Sequence, residues 1–236
     1  MNVALITSAG TGERMGQDIP KQFLHIENKP VIIYTLEAFQ RHPSIDFILV
    51  VCLDGWHEIL KAYAKQFNIT KLKWVVSGGS TGQESIYNGL KALEAECDKE
   101  DLVLIHDGNR VMVSQDIISD SIAITNAHGC AIPVIPCMEA IVISEDNISS
   151  SKYIDKSLIK RTQTPHCFRY GKIMDIHNKA LEKNIRNTTA ACDLMIELGE
   201  TIYLSKGSEK NLKITTVEDI EIFKALLKTE RDNTLK

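Results

Sequence analysis

Apolar runs separated by helical stripes constrain this chain most. Val3-Ala4-Leu5-Ile6, Phe47 to Leu53 and Leu102 to Ile105 are near-continuous apolar segments, the pattern of strands buried on both faces. Leu72 to Val76 and Ala131 to Ile135 read as further strands. Between them lie helical stretches at about Val31 to Arg41, Trp56 to Phe67, Gln83 to Ala95 and Asp116 to Asn126. The first carries Ile32, Ile33, Leu36 and Phe39 on one face, with Pro30 placed for a first helical turn. Strands alternating with helices over short connections predict an α/β fold built on a single doubly wound, mostly parallel sheet. A length of 236 residues suits one such domain, spanning 1–236, with a small appendage.

The rhythm breaks after Pro136. Ala140 to Ser144 and Tyr153 to Lys160 flank a polar segment, Glu145 to Ser151. Two strands that reach out and return would make a protruding β-arm at about 139–162. An isolated hairpin is weakly stable and wants a partner, so a partner subunit is expected. Helices follow at about Tyr170 to Lys183 and Ala190 to Leu198, then a strand at Thr201 to Leu204. A last helix runs from Val217 to Lys228, with Thr216 as N-cap and Asp219 as its acidic partner. The charged tail from Glu230 to Lys236 is expected to fray.

The first strand runs into Ser8-Ala9-Gly10-Thr11-Gly12-Glu13-Arg14-Met15-Gly16. Small residues let backbone N–H groups approach a ligand. Arg14 and Lys21 add a guanidinium fork and an ammonium, both suited to phosphate oxygens. This is either a polyphosphate cradle or an ordinary strand-to-helix turn with solvated cations. The two commonest glycine-loop motifs fail: Met15 holds the third position of G-x-G-x-x-G, and G-K-[ST] is missing.

Open α/β sheets bind ligands beyond the carboxyl ends of their strands. Here those ends are the glycine loop, Gly78-Gly79, and His106-Asp107-Gly108-Asn109-Arg110. Asp107 either caps a turn or holds a divalent metal or a ribose hydroxyl, and Arg110 would face the same cleft. His106 is either a hydrogen-bonded structural histidine or a chemical group. Ser85 would contact a nucleobase or cap its helix. Gly78-Gly79 would let a base lie on backbone or only permit a turn. Lys213, taken alone, is a solvent-facing lysine.

A net charge of −4 and a pI near 6.0 exclude a general attraction to nucleic acid, so an anionic substrate must meet local cations. The six cysteines form no C-x-x-C, and the seven histidines no H-E-x-x-H. Buried thiols in a reducing cytoplasm are expected. No apolar run approaches membrane-spanning length. The expected setting is cytoplasmic, with no membrane and no nucleic-acid partner.

These signatures together resemble the cytidylyltransferases that couple CTP to a linear sugar or polyol phosphate, over nearly the whole chain. Ala9 to Met15 with Pro20-Lys21-Gln22-Phe23 is similar to the family's opening motif, whose arginine and lysine bind the CTP phosphates. Gly78-Gly79 with Ser85 resembles the cytosine-recognising segment. His106-Asp107-x-x-Arg110 matches the central motif, and Gln163-Thr164-Pro165 and Asn211-x-Lys213-Ile214-Thr215 match two late motifs. The family's late threonine falls on Thr189. The resemblance implies a Rossmann-like nucleotidyltransferase with Arg14 and Lys21 as catalytic residues. Ala9, Gly10, Thr11, Gly12, Gly78, Gly79, Ser85, Asp107 and Gly108 would bind nucleotide. Arg110, Thr164, Thr189 and Lys213 would bind the acceptor. It also implies Mg²⁺, with Asp107 near it, and a homodimer exchanging the arm.

Departures from the family pattern fall mostly on the acceptor side. Val111 stands for a proline, Gly82 for an arginine, His166 for a glutamine, Ala190 for an acidic residue, and Lys156 for an acceptor-binding arginine. The reaction expected is CMP transfer to a polyol phosphate with pyrophosphate release. The missing arginine and acidic residue tilt the acceptor from 2-C-methyl-D-erythritol 4-phosphate toward ribitol 5-phosphate. The alternatives are an NAD(P)-dependent oxidoreductase and a non-catalytic nucleotide-binding member.

Overall fold

A computed structural model of the chain describes residues 1–10 and 19–234. The elements in order are β1 (Asn2–Ser8), a small hairpin of β2 (His25–Ile26) and β3 (Lys29–Pro30), α1 (Val31–Arg41), β4 (Phe47–Cys52), α2 (His57–Gln66), β5 (Leu72–Ser77) and α3 (Gly82–Ala92). Then come β6 (Leu102–Asp107), α4 (Gln115–His128), β7 (Cys130–Pro136), β8 (Ile141–Ile143), β9 (Lys152–Ile154), β10 (Lys160–Thr162) and β11 (His166–Arg169). The chain closes with α5 (Tyr170–Glu182), α6 (Ala191–Glu197), β12 (Leu204–Lys206) and α7 (Val217–Thr234).

The central sheet runs β5-β4-β1-β6-β11-β7, with β10 continuing β11 along β7 and β12 also paired to β7. β1 pairs in parallel with both β4 and β6, and β4 with β5. The chain therefore builds outward from β1 on one side, then returns to its other side with β6. That reversal opens a crevice above the carboxyl ends of β1 and β6.

The period of two along β1 divides the core. Ala4 and Ile6 face a cluster with Ile32, Leu36 and Phe39 of α1, Leu60 of α2 and Ile118 of α4. Val3 and Leu5 face Leu90 of α3, Ile173 and Ile176 of α5, and Leu194 of α6. Helices thus cover both faces, and each fully buried Leu, Ile or Phe adds roughly 1.5–3 kcal/mol of transfer free energy. A third cluster docks α7 through Phe223 onto Val31, Val111 and Ile214.

The structure differs from the sequence expectation in four places. β11 lies antiparallel between β6 and β7, where no strand was expected, so the sheet is mixed. The arm's two strands pair with each other as β8 and β9, but the returning strand stops at Ile154. Asp155 accepts from Ser157 N and starts a short 3-10 turn, Lys156–Leu158, before β10 rejoins the sheet. The strand expected at Thr201 to Leu204 begins at Leu204, although the Tyr203 carbonyl already accepts from Ile132 N. The last helix continues to Thr234 rather than fraying from Glu230.

Candidate active site

Two adjoining cavities lie over the crevice, of about 460 and 380 Å³. Thr7, Gly82 and Lys213 line both.

The larger is bounded by the end of β1. Its floor holds Ala9 and Gly10, and its sides Lys21, Gly79, Ser85 and Asn109. Thr11, Gly12 and Arg14 lie outside the described residues. Gln22 fastens the base of the loop: its amide donates to the carbonyls of Ser8 at 2.9 Å and Gly10 at 3.1 Å. Lys21 opens the 3-10 turn Lys21–Phe23, and Phe23 stacks on Trp56 with centroids 4.5 Å apart. Gly78 packs against Ala9 so closely that a Cβ would sit 2.3 Å from the Ala9 Cβ. Ser85 accepts from Gly79 N at 3.0 Å and donates to Thr81 O at 2.9 Å. It ties down the loop but does not cap the helix. The cap is Thr81, which accepts from Glu84 N, while the Glu84 carboxylate accepts from Ser80 N and Oγ.

The smaller cavity is bounded by the end of β6, the β10–β11 junction and the turn before α6. Asp107 sits between two cations, Lys213 Nζ at 3.2 Å and Arg110 Nε at 3.4 Å. Burial pushes its carboxyl upward, but Lys213 and Arg110 outweigh that and hold it below the usual carboxylate range. Burial lowers Arg110 against the pull of Asp107. Gly108 is a packing requirement: a Cβ there would lie 2.9 Å from both Thr7 O and Ile32 Cδ1.

His106 is wholly buried and its tautomer follows from its partners. Nε2 faces the Arg110 carbonyl at 3.0 Å, which only accepts, so Nε2 carries the proton. Burial lowers its pKa to about 4, so the ring is neutral and Nδ1 accepts from Thr164 Oγ1 at 3.0 Å. Thr164 in turn accepts from Asp107 N at 3.1 Å. The Thr164 hydroxyl is thus held within the protein, while Thr189 lines the cavity wall. Asn211 completes the frame: Nδ2 donates to Thr164 O at 2.8 Å, and its carbonyl accepts from Arg110 Nη1 at 2.7 Å. A bridge between Arg110 and Lys213 brings the late segment onto the end of β6.

Several residues with a visible structural task were not singled out from sequence for it. Gln22 and Asn211 fell within matched motifs, but nothing there revealed that both are buried staples. Gln83 joins α3 to the turn before α6, donating to Ile185 O at 2.7 Å and accepting from Thr188 N at 3.0 Å. His166 and His177 line the smaller cavity. Of the departures, Val111 is buried in the α7 cluster, Gly82 begins α3 facing open space, Ala190 stands before α6 without a side-chain capping bond, and Lys156 follows the β8–β9 hairpin, donating to Met138 O.

The described residues offer Mg²⁺ no cage built from protein groups alone. Among the described residues no group of three or more His, Cys, Asp or Glu could hold a metal ion. Asp107 already faces two cations. Mg²⁺ usually keeps several waters and takes one or two carboxylates together with substrate phosphates, so Asp107 is the carboxylate this end of β6 would offer it. The arrangement also suits anions: cations line both cavities, and uncharged polar groups line the smaller one's depth. No helix among the described residues is long and apolar enough to cross a membrane.

Comparison with known proteins agrees with this geometry. Residues 2–229 match the family described as IspD, 2-C-methyl-D-erythritol 4-phosphate cytidylyltransferase. A ribitol-5-phosphate cytidylyltransferase of Lacticaseibacillus paracasei is 42% identical over 97% of this chain and 98% of its own. One of Vibrio parahaemolyticus is 41% identical over 98% of each. A 2-C-methyl-D-erythritol 4-phosphate cytidylyltransferase of Clostridium botulinum is 37% identical over 96% of this chain and 97% of its own. Among solved structures, 4-diphosphocytidyl-2C-methyl-D-erythritol synthase of Anaerococcus prevotii shares the fold with a TM-score of 0.83 at 24% identity, covering 96% of each chain.

Proposed function

The chain belongs to the 2-C-methyl-D-erythritol 4-phosphate cytidylyltransferase family, and from that membership we propose that it transfers CMP from CTP to ribitol 5-phosphate. As a nucleotidyltransferase of this family it acts on a polyol phosphate, which removes the oxidoreductase alternative. The observation that carries the two-substrate reading is the pair of cavities meeting at Lys213. Ribitol 5-phosphate as the acceptor rests on two relatives of that name at 42% and 41% identity, against 37–38% for methylerythritol enzymes of Clostridium botulinum.

In this mechanism CTP occupies the larger cavity and the acceptor the smaller. An acceptor phosphate oxygen forms a bond to the α-phosphorus. The bond from that phosphorus to the bridging oxygen breaks, and the electron pair leaves with pyrophosphate. A phosphate monoester is largely dianionic at neutral pH, its second pKa being about 6. No general base is needed, and the neutral, fully bonded His106 is consistent with that. Positioning and charge neutralisation carry the rate. Lys21 and Arg14 are proposed for the triphosphate, Lys213 for charge between the substrates, and Arg110 for the acceptor phosphate, with Asp107 orienting both late cations. Mg²⁺, which is proposed to enter with CTP, would add to the neutralisation of the triphosphate's charge.

The arm supports a homodimer: Val142, Ile148, Tyr153 and Leu158 are exposed apolar side chains on or beside one hairpin. A cytoplasmic setting is proposed on six free cysteines.

The test is pyrophosphate release with CTP and Mg²⁺ against a panel of polyol phosphates. Ribitol 5-phosphate is expected to give the highest kcat/KM. A preference for methylerythritol phosphate would move the acceptor assignment. CTP binding with no turnover of any acceptor would favour the non-catalytic alternative.

A further inference from the structure

The smaller cavity separates charged from uncharged polar groups. Lys213 and Arg110 stand with Asp107 at the end of β6. Three histidines also line it, and their rings differ in what they already bond. His106 uses both nitrogens within the protein. His177 stacks on Tyr87, with Nε2 sealed in the core and unpaired. His166 opens β11, opposite Ile105 in the ladder, and is only 3% exposed. No hydrogen bond among the described residues engages its ring, yet its nitrogens are not among the sealed unpaired atoms. The cavity it lines is therefore where its ring is open to a partner.

Burial lowers the His166 pKa to about 4, so at neutral pH the ring is uncharged and offers one donor and one acceptor. A phosphate dianion asks for charged donors, which Lys213 and Arg110 supply. A hydroxyl asks for one donor and one acceptor, which a neutral imidazole supplies. We propose that His166 is a specificity-determining residue that hydrogen-bonds a hydroxyl of the acceptor's uncharged polyol chain. The proposal rests on assigning this cavity to the acceptor. The acceptor then lies with its phosphate toward Lys213 and its hydroxyls toward β11.

The test couples the side chain to the hydroxyl. Wild type, His166→Phe and His166→Gln are assayed with ribitol 5-phosphate and with each of its monodeoxy analogues, folding being checked by thermal melts. In wild type, loss of one particular hydroxyl is expected to lower kcat/KM about tenfold or more. In His166→Phe that penalty should vanish, with KM for CTP unchanged, and His166→Gln should restore part of it. If His166→Phe fails to fold, His166→Gln carries the comparison through a reduced penalty at that position. A penalty of the same size in every variant, or no penalty at any position, overturns the proposal. Absence of turnover by wild type with every polyol phosphate would instead overturn the acceptor assignment beneath it, and the proposal with it.

Discussion

Gln22 is a residue whose task depends on having both a donor and no charge. Its amide donates to two backbone carbonyls, Ser8 and Gly10, just past the end of β1. Gln22→Ala leaves both without that partner, at a cost of about 1–3 kcal/mol. Gln22→Glu is nearly isosteric but sets a carboxylate against two carbonyl oxygens, so it should be worse than alanine. Urea melts should rank the variants wild type, then Ala, then Glu. KM for CTP should rise in the same order if the loop proposed to meet the triphosphate loses its anchor. Lys213 is different: it touches both cavities and pairs with Asp107. Lys213→Met should lower kcat by about 10²-fold or more through lost charge stabilisation, while melts fall modestly, since Arg110 still pairs with Asp107. Steady-state kinetics with each substrate varied in turn checks this.

At the scale of elements, most helices and parallel strands were legible because their signals are local. α1 spans Val31–Arg41 as its stripe predicts, and β6 spans Leu102–Asp107 as its apolar run predicts. β11 was not legible. It has four residues, two of them polar or charged, and runs straight into α5 with no turn residue between. Only its insertion between β6 and β7 makes it a strand, and that is a tertiary fact. The same holds at the site. Asp107, Arg110 and Lys213 were marked by sequence, but their clustering depends on Asn211 and the bridge from Arg110 to Lys213. The arm was visible as a break in rhythm. Its surface now carries a prediction, since Val142 and Tyr153 face each other across the β8–β9 ladder and both are well exposed. Replacing both by Asp should leave the melting temperature of the main sheet little changed and convert a dimer to a monomer in light scattering. A monomeric wild type would remove the basis for a partner at this hairpin.

Four of the seven histidines, His42, His106, His166 and His177, are buried, and their lowered pKa values should shape the protein's acid stability. His106, His166 and His177 each have a pKa lowered to about 4 by burial, and His42 is lowered for the same first cause. In the unfolded chain a histidine titrates near 6.5. Between those values the unfolded state binds protons that the folded state does not, so folding stability falls as pH falls. The loss begins below about pH 6.5 and levels off near the folded value, with each of the three contributing on the order of 3 kcal/mol. Asp107 acts lower down: its folded pKa lies below the usual range, so its contribution persists until pH falls under about 4. Urea melts from pH 7.5 to 4.5 should therefore show stability flat at first, then falling with a slope of up to about 1.4 kcal/mol per pH unit for each buried histidine. His177→Phe keeps an aromatic ring against Tyr87 and removes one titrating group, along with the unpaired Nε2. It should reduce that slope by one proton's worth and raise stability most at the acid end. A slope identical to wild type would mean that His177 is protonated in the folded protein, and that the cavity wall is wetter than its packing implies.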